Sequence, residues 1–398
     1  MESARKQAQE RLAAMGLPQR RDEYWKYTRP DLLTTDDVAP AAILNLDEAP
    51  LFDAIDRLKI VFVDGVFDAD ASDDLSMVGI EIALLKDAPD WADALYGALE
   101  AAGQKPVARP LAALNSANAR EGVVIRATGK AAKPVSMIYL RKSEASDVML
   151  HHVIRVEEGA DLTILENGPA GARFNSVMEV DIADKGAFHH VRAMGRDHER
   201  RAATHIFGRL GHESKFKSFT MTVNGKLTRN EVVLELTGDD AVAHVAGAAM
   251  GDGDFLHDDT VFITHDSLNC ESRQVFKKVL RNGATGVFQG KILVKAGAQK
   301  TDGYQMSQSL LLDDEAQFFA KPELEIYADD VMCSHGSTTG AIDDEAMYYL
   351  RSRGVPKVDA QDMLVLAFMT DAIDEIEDEA IADDIRARLE GWLARHRG

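Results

Sequence analysis

Two residues near the C-terminal end of the chain, Cys333 and His335, have side chains that could bind a metal ion. They stand two positions apart in the stretch "DDVMCSHGSTTG", after sequence that favours a strand and before sequence that favours a helix. Residues two apart on a strand share a face, and thiolate and imidazole both ligate iron or zinc. A buried cysteine beside a hydrogen-bonded histidine would fit the same spacing, so the pattern alone leaves both interpretations open.

Most of the other histidines lie in the middle of the chain, and they include two adjacent pairs, His151-His152 and His189-His190. Neighbouring residues on a strand point to opposite faces, so neither pair can form one bidentate metal site. We therefore expect each of these histidines to be exposed or hydrogen-bonded on its strand.

Three pairs of aspartates could supply the acid and the base of a β-helical enzyme that cleaves polysaccharides. They are Asp258-Asp259, Asp313-Asp314 and Asp329-Asp330. Aspartate at a coil turn more often serves the turn itself. The sequence has no motif for nucleotide hydrolysis, dinucleotide binding, serine hydrolysis or zinc peptidase chemistry. A carbohydrate-active enzyme stays an alternative function, and we do not expect the chain to hydrolyse ATP.

Composition limits the class of protein. The chain has 398 residues, more than one compact core usually holds, and its net charge of -21 argues against binding nucleic acid or anionic membranes. Its two cysteines, Cys270 and Cys333, favour a reducing compartment and cannot supply the four ligands of a typical iron–sulfur cluster. The N-terminal segment lacks the apolar stretch of a signal peptide, and no stretch approaches the roughly 18 apolar residues of a membrane span. We expect a cytoplasmic protein.

Sequence patterns divide the chain into an N-terminal helical region (1–110), a strand-rich core (111–340) and a C-terminal helical region (341–398). The core consists of short runs rich in Val, Ile, Phe and Thr that are separated by turns, with no helices between them. In the last region, Met363, Met369 and Trp392 lie on amphipathic helices. They could form a surface for a partner, or these apolar faces could pack together.

A weak internal repeat runs through the first half of the core. Four small residues, Ala160, Ala187, Ser214 and Ala241, follow one another at intervals of 27 residues, each near a turn. A fixed period of small turn residues before strands is typical of stacked coils in a parallel β-helix or related solenoid. A β-sandwich is the alternative fold.

Three stretches of the sequence resemble one protein family. They are "PQRRDEYWKYT" near the N-terminus, "VFQGKILVKAGAQKTDGYQMSQSLLLDDEAQFFAKPELEIYADDV" (287–331) and "MCSHGSTTGAIDDEAMYYLRSRG" (332–354). They are similar to the SufB/SufD family, whose members are scaffold components of the SUF iron–sulfur cluster assembly system. The resemblance implies a right-handed parallel β-helix core flanked by N-terminal and C-terminal helical regions, which agrees with the division of the chain described above.

Two positions indicate which type of family member the chain resembles. SufB-type chains carry a cysteine in the coil position where this sequence has Ala316, and a glutamate directly after the histidine, where it has Gly336. Both ligand-type residues are missing. The chain therefore resembles SufD, the partner subunit, and not a stand-alone SufB.

The resemblance implies a non-catalytic scaffold subunit that pairs with SufB through the β-helix and binds SufC, an ABC-type ATPase, through residues 341–398. It places a metal site on His335 first and Cys333 second, as interface ligands that need further donors from SufB. No tightly bound cofactor is expected, since iron or a nascent cluster would be held transiently and shared with SufB. The isolated chain could pair with a second copy of itself. A purely structural homo-oligomer without a metal role is the other alternative.

Overall fold

The computed structural model describes residues 1–43, 50–195 and 197–396. The structure is mainly β, with 42% of residues in strands and 22% in helices, and its centre is a parallel β-solenoid of about 7 turns. Helices lie at both ends of the chain. The predicted fold class is therefore confirmed. The β-sandwich alternative is wrong, because the long core strands pair in parallel along their whole length.

The helices are α1 (Glu2–Met15), α2 (Asp31–Thr34), α3 (Asp90–Leu95), α4 (Ala98–Ala102), α5 (Pro110–Asn118), α6 (Asp344–Ser352), α7 (Lys357–Ile373) and α8 (Glu379–Arg395), with short 3-10 helices at Glu23–Trp25 and Leu85–Asp87. The strands are β1 (Leu58–Val63), β2 (Val66–Phe67), β3 (Ile80–Leu84), β4 (Val123–Ala127), β5 (Val135–Leu140), β6 (Asp147–Val156), β7 (Asp161–Asn167), β8 (Arg173–Ile182), β9 (Ala187–Met194), β10 (Arg201–Leu210), β11 (Lys215–Val223), β12 (Leu227–Leu236), β13 (Val242–Asp252), β14 (Leu256–His265), β15 (Glu271–Arg281), β16 (Thr285–Val294), β17 (Asp302–Leu311), β18 (Gln317–Ile326) and β19 (Met332–Gly340).

Two sheets form the walls of the solenoid. Sheet A has the strand order β19-β17-β15-β13-β11-β9-β7-β5-β1-β2, and sheet B has the order β18-β16-β14-β12-β10-β8-β6-β4-β3. Each coil therefore adds one strand to each sheet. At the N-terminal end the outermost strands are short: β2 pairs antiparallel with β1 in sheet A, and β3 pairs antiparallel with β4 in sheet B. At the other end β18 and β19 are the last strands of their sheets, and we call this the open end.

Side chains alternate between the interior of the solenoid and its two outer faces, as the pleat of a strand requires. In β14, Val261 and Ile263 belong to the central apolar cluster, whereas Phe262 between them packs with the N-terminal helices. Neighbouring strands stack in register, so this alternation is repeated from coil to coil. The interior therefore contains a large apolar cluster that runs from β1 to β16, followed by two smaller clusters toward the last coils.

The repeat is less regular than the sequence predicts. Register-equivalent first residues in sheet A are Asp161, Ala187, Lys215, Val242, Glu271, Asp302 and Met332, which makes successive coils 26 to 31 residues long. Ala160, Ser214 and Ala241 do occupy equivalent turn positions, but Ala187 is the first residue of its strand. Turns between strands can absorb extra residues without changing the strand register, so a strict period of 27 is not maintained.

The terminal helices cover the outer faces of the two sheets. Helices α1–α5 pack mainly against sheet B, where Val177, Phe207 and Phe262 join an apolar cluster with the N-terminal residues. Helices α7 and α8 pack against sheet A, where Met221 and Ala248 lie in the apolar cluster of the C-terminal region. Within the ranges that the structure describes, no helix is long and apolar enough to cross a membrane.

The predicted N-terminal helical region needs a correction. Residues 1–110 also contain β1, β2 and β3, and β1 pairs in parallel with β5 of the core. The run "LKIVFV" is short and apolar, and periodicity cannot assign such a run to a helix or a strand. The division of the chain at residues 110 and 340 itself stays a prediction, and residues 44–49 and 397–398 of the outer two regions lie outside the described residues.

Candidate metal site at the open end of the solenoid

Cys333 and His335 both lie on β19, the edge strand of sheet A. This strand pairs in parallel with β17 and has no further strand beyond it in the sheet. Its inner-face side chains are Cys333, His335, Ser337 and Thr339, which stack on Gly303, Gln305, Ser307 and Ser309 of β17. Two side-chain hydrogen bonds follow this stacking, Ser307 Oγ to Ser337 Oγ at 3.0 Å and Ser309 Oγ to Thr339 Oγ1 at 3.2 Å. The predicted pair thus shares a face, at the uncovered end of the core.

Cys333 is half-buried and packs against the last apolar cluster of the interior, which contains Ile292, Val294 and Ala328. Burial raises the pKa of the Cys333 thiol, and the charge of Asp302 acts in the same direction. The thiol is therefore protonated at neutral pH, whereas a metal ligand must be a thiolate. Cys333 is suited to bind metal only after it loses its proton.

His335 is exposed, in contrast to the histidines of the earlier coils. Its imidazole is not engaged by any hydrogen bond or ion pair among the described residues. Both ring nitrogens can therefore accept or donate without breaking an existing contact. His335 is therefore the more accessible of the two side chains, and its preference over Cys333 as a metal donor stays a prediction from the resemblance.

The two residues do not make a complete site. Among residues 1–43, 50–195 and 197–396, no group of three or more His, Cys, Asp or Glu side chains could hold a metal ion. Zinc and iron sites normally use at least three protein ligands. Within the described residues, the open end therefore offers two candidate donors and no complete metal site.

The two positions that distinguish the chain from SufB-type sequences also lie near this end. Ala316 precedes β18 and is buried in an apolar cluster with Phe255 and Ala284. Gly336 follows His335, and a Cβ at this position would lie 2.9 Å from Cε of Met306, the flexible end of a side chain. Neither residue has a side chain that could donate to metal, so the incomplete site is a direct consequence of the sequence.

The adjacent histidine pairs are satisfied inside the protein. His151 faces the N-terminal helices, with its Nε2 3.0 Å from Glu179, while His152 faces the interior, 3.3 Å from the hydroxyl of Tyr139. Burial lowers the pKa of His152 to about 4, so its ring is neutral at physiological pH. His189 and His190 divide between the two faces in the same way. The two members of each pair therefore point to opposite faces of their strand, which is the alternation that the sequence predicts.

The aspartate pairs have structural partners. Asp258 faces outward and binds Arg229, whereas Asp259 faces inward, 2.7 Å from Nζ of Lys278. Asp313 lies in a turn, where its carboxylate accepts backbone N–H groups of Glu315 and Ala316. Asp330 pairs with Lys300 across two neighbouring turns. The pairs therefore give no support to the carbohydrate-active alternative.

Cys270 has a different environment from Cys333. It is fully buried in the turn before β15, equivalent in register to Ser214 and Ala241 in the turns before β11 and β13. Burial raises the pKa of its thiol to about 11. A buried thiol with such a pKa is unreactive, so Cys270 serves as a small side chain in the turn.

The sequence analysis missed a charged network inside the solenoid. Glu166 is fully buried and accepts hydrogen bonds from the hydroxyl of Tyr139 at 2.5 Å and from Nε of Arg192 at 2.9 Å. His190 Nε2 lies 2.6 Å from the same carboxylate. The alternation of side chains along β7 could have revealed this network. Glu166 follows Leu162 and Ile164 at every second position, so it points into the interior as they do.

Comparison with known proteins identifies the class to which this β-solenoid belongs. A family model described as "SUF system FeS cluster assembly, SufBD core domain" matches residues 139–368, from β5 into α7. The match covers more than half of the chain, which therefore belongs to the SufB/SufD family of the SUF system.

The similarity extends over most of the length of individual relatives. The iron-sulfur cluster assembly protein SufD of Escherichia coli (strain K12) is 28% identical over 96% of this chain and 92% of that protein. An iron-sulfur cluster assembly SufBD family protein of Synechocystis is 27% identical over 94% of this chain and 86% of that protein. SufD of Bacillus subtilis (strain 168) is 27% identical over 65% of this chain and 60% of that protein. These similarities agree with the prediction of a SufD-type member.

Proposed function

We propose that the chain is a non-catalytic scaffold subunit of iron–sulfur cluster assembly that pairs with a SufB-type chain and binds a SufC-type ATPase. The observation that carries this proposal is the open end of the solenoid, where two unpaired sheet edges and the incomplete pair of metal donors occur together. ATP hydrolysis belongs to the ATPase partner in this scheme, because the sequence has no phosphate-binding loop. We assign the complex to the cytoplasm.

The pairing surface would be the last coil. An exposed edge strand presents unpaired backbone N–H and C=O groups that can pair with another chain. Along β19 and the loop before it, Tyr327 is 62% exposed and Met332 is 70% exposed. Monomeric proteins often protect such edges by keeping the edge strands short, and at the N-terminal end of this solenoid β2 and β3 have 2 and 5 residues, against 10 and 9 for β18 and β19. A second β-helix that continues both sheets would cover this surface.

The metal site would form only in that complex. His335 supplies a neutral imidazole, Cys333 supplies a thiol that needs deprotonation, and the partner supplies the remaining donors. Iron or a nascent cluster would be cargo of the interface, bound transiently. Imidazole is a good ligand for iron, and a site with few thiolates would release its cluster more readily than a four-thiolate site.

The ATPase would bind the C-terminal region, 341–398, and α6 is the best-supported contact within it. This helix buries none of its residues against the rest of the chain. Tyr348 is 76% exposed and Tyr349 is 54% exposed on it, and Met363 of the next helix is 50% exposed. Exposed aromatic and methionine side chains are typical of protein interfaces. By contrast, Met369 and Trp392 are buried against sheet A, so only part of the surface predicted from sequence is accessible.

The test is co-expression of a tagged chain with SufB-type and SufC-type partners, followed by affinity purification and iron analysis. Tyr348→Asp should lose the ATPase and keep the SufB-type chain, while Met332→Asp should do the reverse. Point variants are preferable to deletion of 341–398, because the deletion would expose the apolar outer face of sheet A.

A third variant, His335→Ala, should keep both partners and carry less iron. If the reconstituted complex with His335→Ala assembled clusters at the parental rate, the metal assignment would be wrong. If the tagged chain purified without either partner under all conditions, the scaffold proposal as a whole would fail.

One observation also fits the structural homo-oligomer, since the open edges of β18 and β19 could pair with a second copy of this chain. Metal analysis after co-expression separates the two functions. A homo-oligomer that excludes the SufB-type chain and contains no iron would favour the structural alternative.

A further inference from the structure

His335 is the last member of a column of polar side chains inside the solenoid. Gln274 of β15, Gln305 of β17 and His335 of β19 are register partners on successive strands of sheet A. Adjacent strands are about 4.8 Å apart, so side chains on the same face at the same register position stack on one another. Gln305 is therefore the side chain directly beneath the His335 ring.

Both glutamines are fully buried, and their amide groups are unsatisfied. Neither Nε2 nor Oε1 of Gln274 or of Gln305 has a hydrogen-bond partner in the described structure. A buried unpaired polar group costs about 1–3 kcal/mol. Such groups in a folded protein call for an explanation, which can be a contact that forms only in another state of the molecule.

The two glutamines differ in what lies next to them. The Oε1 of Gln274 is 3.0 Å from the position that a Cβ on Gly290 would occupy, so its amide fills the room left by that glycine. Gln274 also has a strand on either side, β13 and β17. Gln305 has only β19 above it, and its register partner there is the exposed His335.

We propose that Gln305 is a positioning residue for His335. When a partner chain covers the open end, the ring settles onto the inner column and its single N–H donates to Oε1 of Gln305. This contact fixes the tautomer and leaves the other ring nitrogen unprotonated and directed toward the metal. Metal-binding histidines commonly donate their second nitrogen to an oxygen acceptor, and loss of that acceptor typically weakens metal affinity about 10- to 100-fold.

This inference rests on the proposed function, because it assumes that His335 binds metal in the complex with a SufB-type chain. It gives a role to Gln305, whose buried amide has no hydrogen-bond partner in the described structure. The stack of two glutamines also provides its own control, because Gln274 is equally buried and equally unpaired but lies one strand further from His335.

The experiment measures Co²⁺ binding, as a spectroscopic substitute for Fe²⁺, to the complex formed with SufB-type and SufC-type partners. The variants are Gln305→Leu, Gln274→Leu, Gln305→Glu and His335→Ala. We expect Gln305→Leu to weaken Co²⁺ binding at least 10-fold and Gln274→Leu to leave it within 2-fold of the parent. Gln305→Glu keeps an oxygen acceptor and should therefore retain most of the parent's affinity for Co²⁺. Denaturation midpoints of all variants show whether the solenoid is equally stable.

The outcomes separate the inference from the function on which it rests. If His335→Ala leaves Co²⁺ binding unchanged, the proposed metal site is wrong and the inference falls with it. If His335→Ala abolishes binding while Gln305→Leu and Gln274→Leu behave alike, the metal site stands and the role of Gln305 is overturned. Should either leucine variant misfold, Gln305→Asn, which withdraws the acceptor by one methylene, is measured against Gln274→Asn with the same expectation.

Discussion

The two outer faces of the solenoid are covered in physically different ways. We call helices α1–α5 the N-terminal cover, which lies on sheet B, and helices α6–α8 the C-terminal arm, which lies on sheet A. Buried charges and hydrogen bonds attach the cover, whereas an apolar surface with ion pairs at its edge attaches the arm. The difference determines which of the two can move without unfolding the protein.

Buried carboxylates on sheet B hold the N-terminal cover. Glu179 of β8 accepts the backbone N–H groups of Gly97 at 2.6 Å and of Glu100 at 2.8 Å. Glu231 of β12 pairs with Arg109 of the cover at 2.9 Å. Although burial alone would raise the pKa of Glu231, the charges of Arg229 and Arg109 lower it to about 2, so the carboxylate stays ionised at neutral pH.

A second anchor lies where the aromatic segment 24–28, between α1 and α2, crosses sheet B. Arg229 binds Asp258 and donates to the backbone carbonyl of Tyr24 at 2.9 Å, and its guanidinium lies 4.2 Å from the ring centre of Trp25. Thr28 also donates to Asp258. All of these groups are buried. This aromatic segment is therefore an electrostatic anchor as well as an apolar contact.

Among the described residues, the C-terminal arm has fewer anchors of this kind: Trp392 donates a buried hydrogen bond to Asn224 at 3.0 Å, and the buried Lys277 of β15 lies 2.7 Å from the exposed Asp371. The arm's buried contacts with sheet A are mainly apolar, and charged pairs lie toward the edge. Nδ1 of His244 is 2.8 Å from Glu375, and Nζ of Lys217 is 2.7 Å from Glu377. These side chains keep partial access to solvent. Separation would return the charges to water at little cost, so the free energy needed to lift the arm depends mainly on apolar area.

The contrast bears on the proposed ATPase contact, because a partner bound to the arm could act on the solenoid only by moving whichever of the arm and the cover separates at the lower free-energy cost. An apolar contact with hydrated ion pairs at its rim can separate in steps, each with a modest free-energy cost. A buried charge that loses one partner leaves an uncompensated charge, and the cost is large at once. The cover should therefore stay with the solenoid while the arm moves.

The largest expected effect comes from breaking the cover. Arg229→Leu leaves Asp258 and Glu231 buried without their shared cation, which should destabilise the protein by about 3–5 kcal/mol. The measurement is guanidinium denaturation followed by tryptophan fluorescence. Arg386→Leu in the arm is the control, because Arg386 also has three acidic partners, Asp374, Glu379 and Asp383, but at the surface. It should cost less than about 1 kcal/mol. Equal losses would contradict the comparison.

A smaller and local effect is expected from the arm. Ile385 of α8 is fully buried in the apolar contact with sheet A, and Ile385→Ala should weaken that contact by about 2–4 kcal/mol. Limited proteolysis should then cut within 341–396 while circular dichroism of the strands is retained. Val358→Ala, at an exposed position of α7, is the matched control and should leave the cleavage rate unchanged. Loss of strand signal together with cleavage would show that the arm is essential to the solenoid.

The sequence predicts local features of this architecture better than it predicts their pairing. The strand alternation that separates His151 from His152 is a local property, and it holds in the structure. Which faces the terminal helices cover depends on contacts far apart in the chain. Met363 and Met369 stand on one helix, yet one is exposed and the other is buried on sheet A. Helical periodicity gives an apolar face, but it does not say how wide a part of that face is covered.

The same limit applies to the candidate site. Its two donors could be read from residue type and from their place at the end of the strand region, because both are local. The position of Gln305 beneath His335 could not be read in this way, since the coil between them is 30 residues long and coil lengths vary. Only the register of β17 with β19 places a buried amide under the exposed ring.

The smallest expected effect is on the pH dependence of stability, and it compares one buried histidine under the cover with one under the arm. His205 lies under the cover, and burial lowers its pKa to about 4, below the value of about 6.5 in an unfolded chain. The folded state then binds fewer protons, so stability is lost as pH falls from about 6.5 toward 4, by about 1.4 kcal/mol at pH 5.5 for this group. His205→Gln should remove this part of the pH dependence, measured as the denaturation midpoint at pH 7.5 and at pH 5.5.

His189, on the face of the arm, is the comparison for this prediction. Burial also lowers the pKa of His189, but Glu377 and Asp161 lie 3.6 and 3.7 Å from its ring and favour the protonated form. His189→Gln should therefore change the pH dependence less than His205→Gln does. A larger change for His189→Gln would mean that the arm, and not the cover, carries the buried titrating groups that control acid stability, which would reverse the comparison between the two faces.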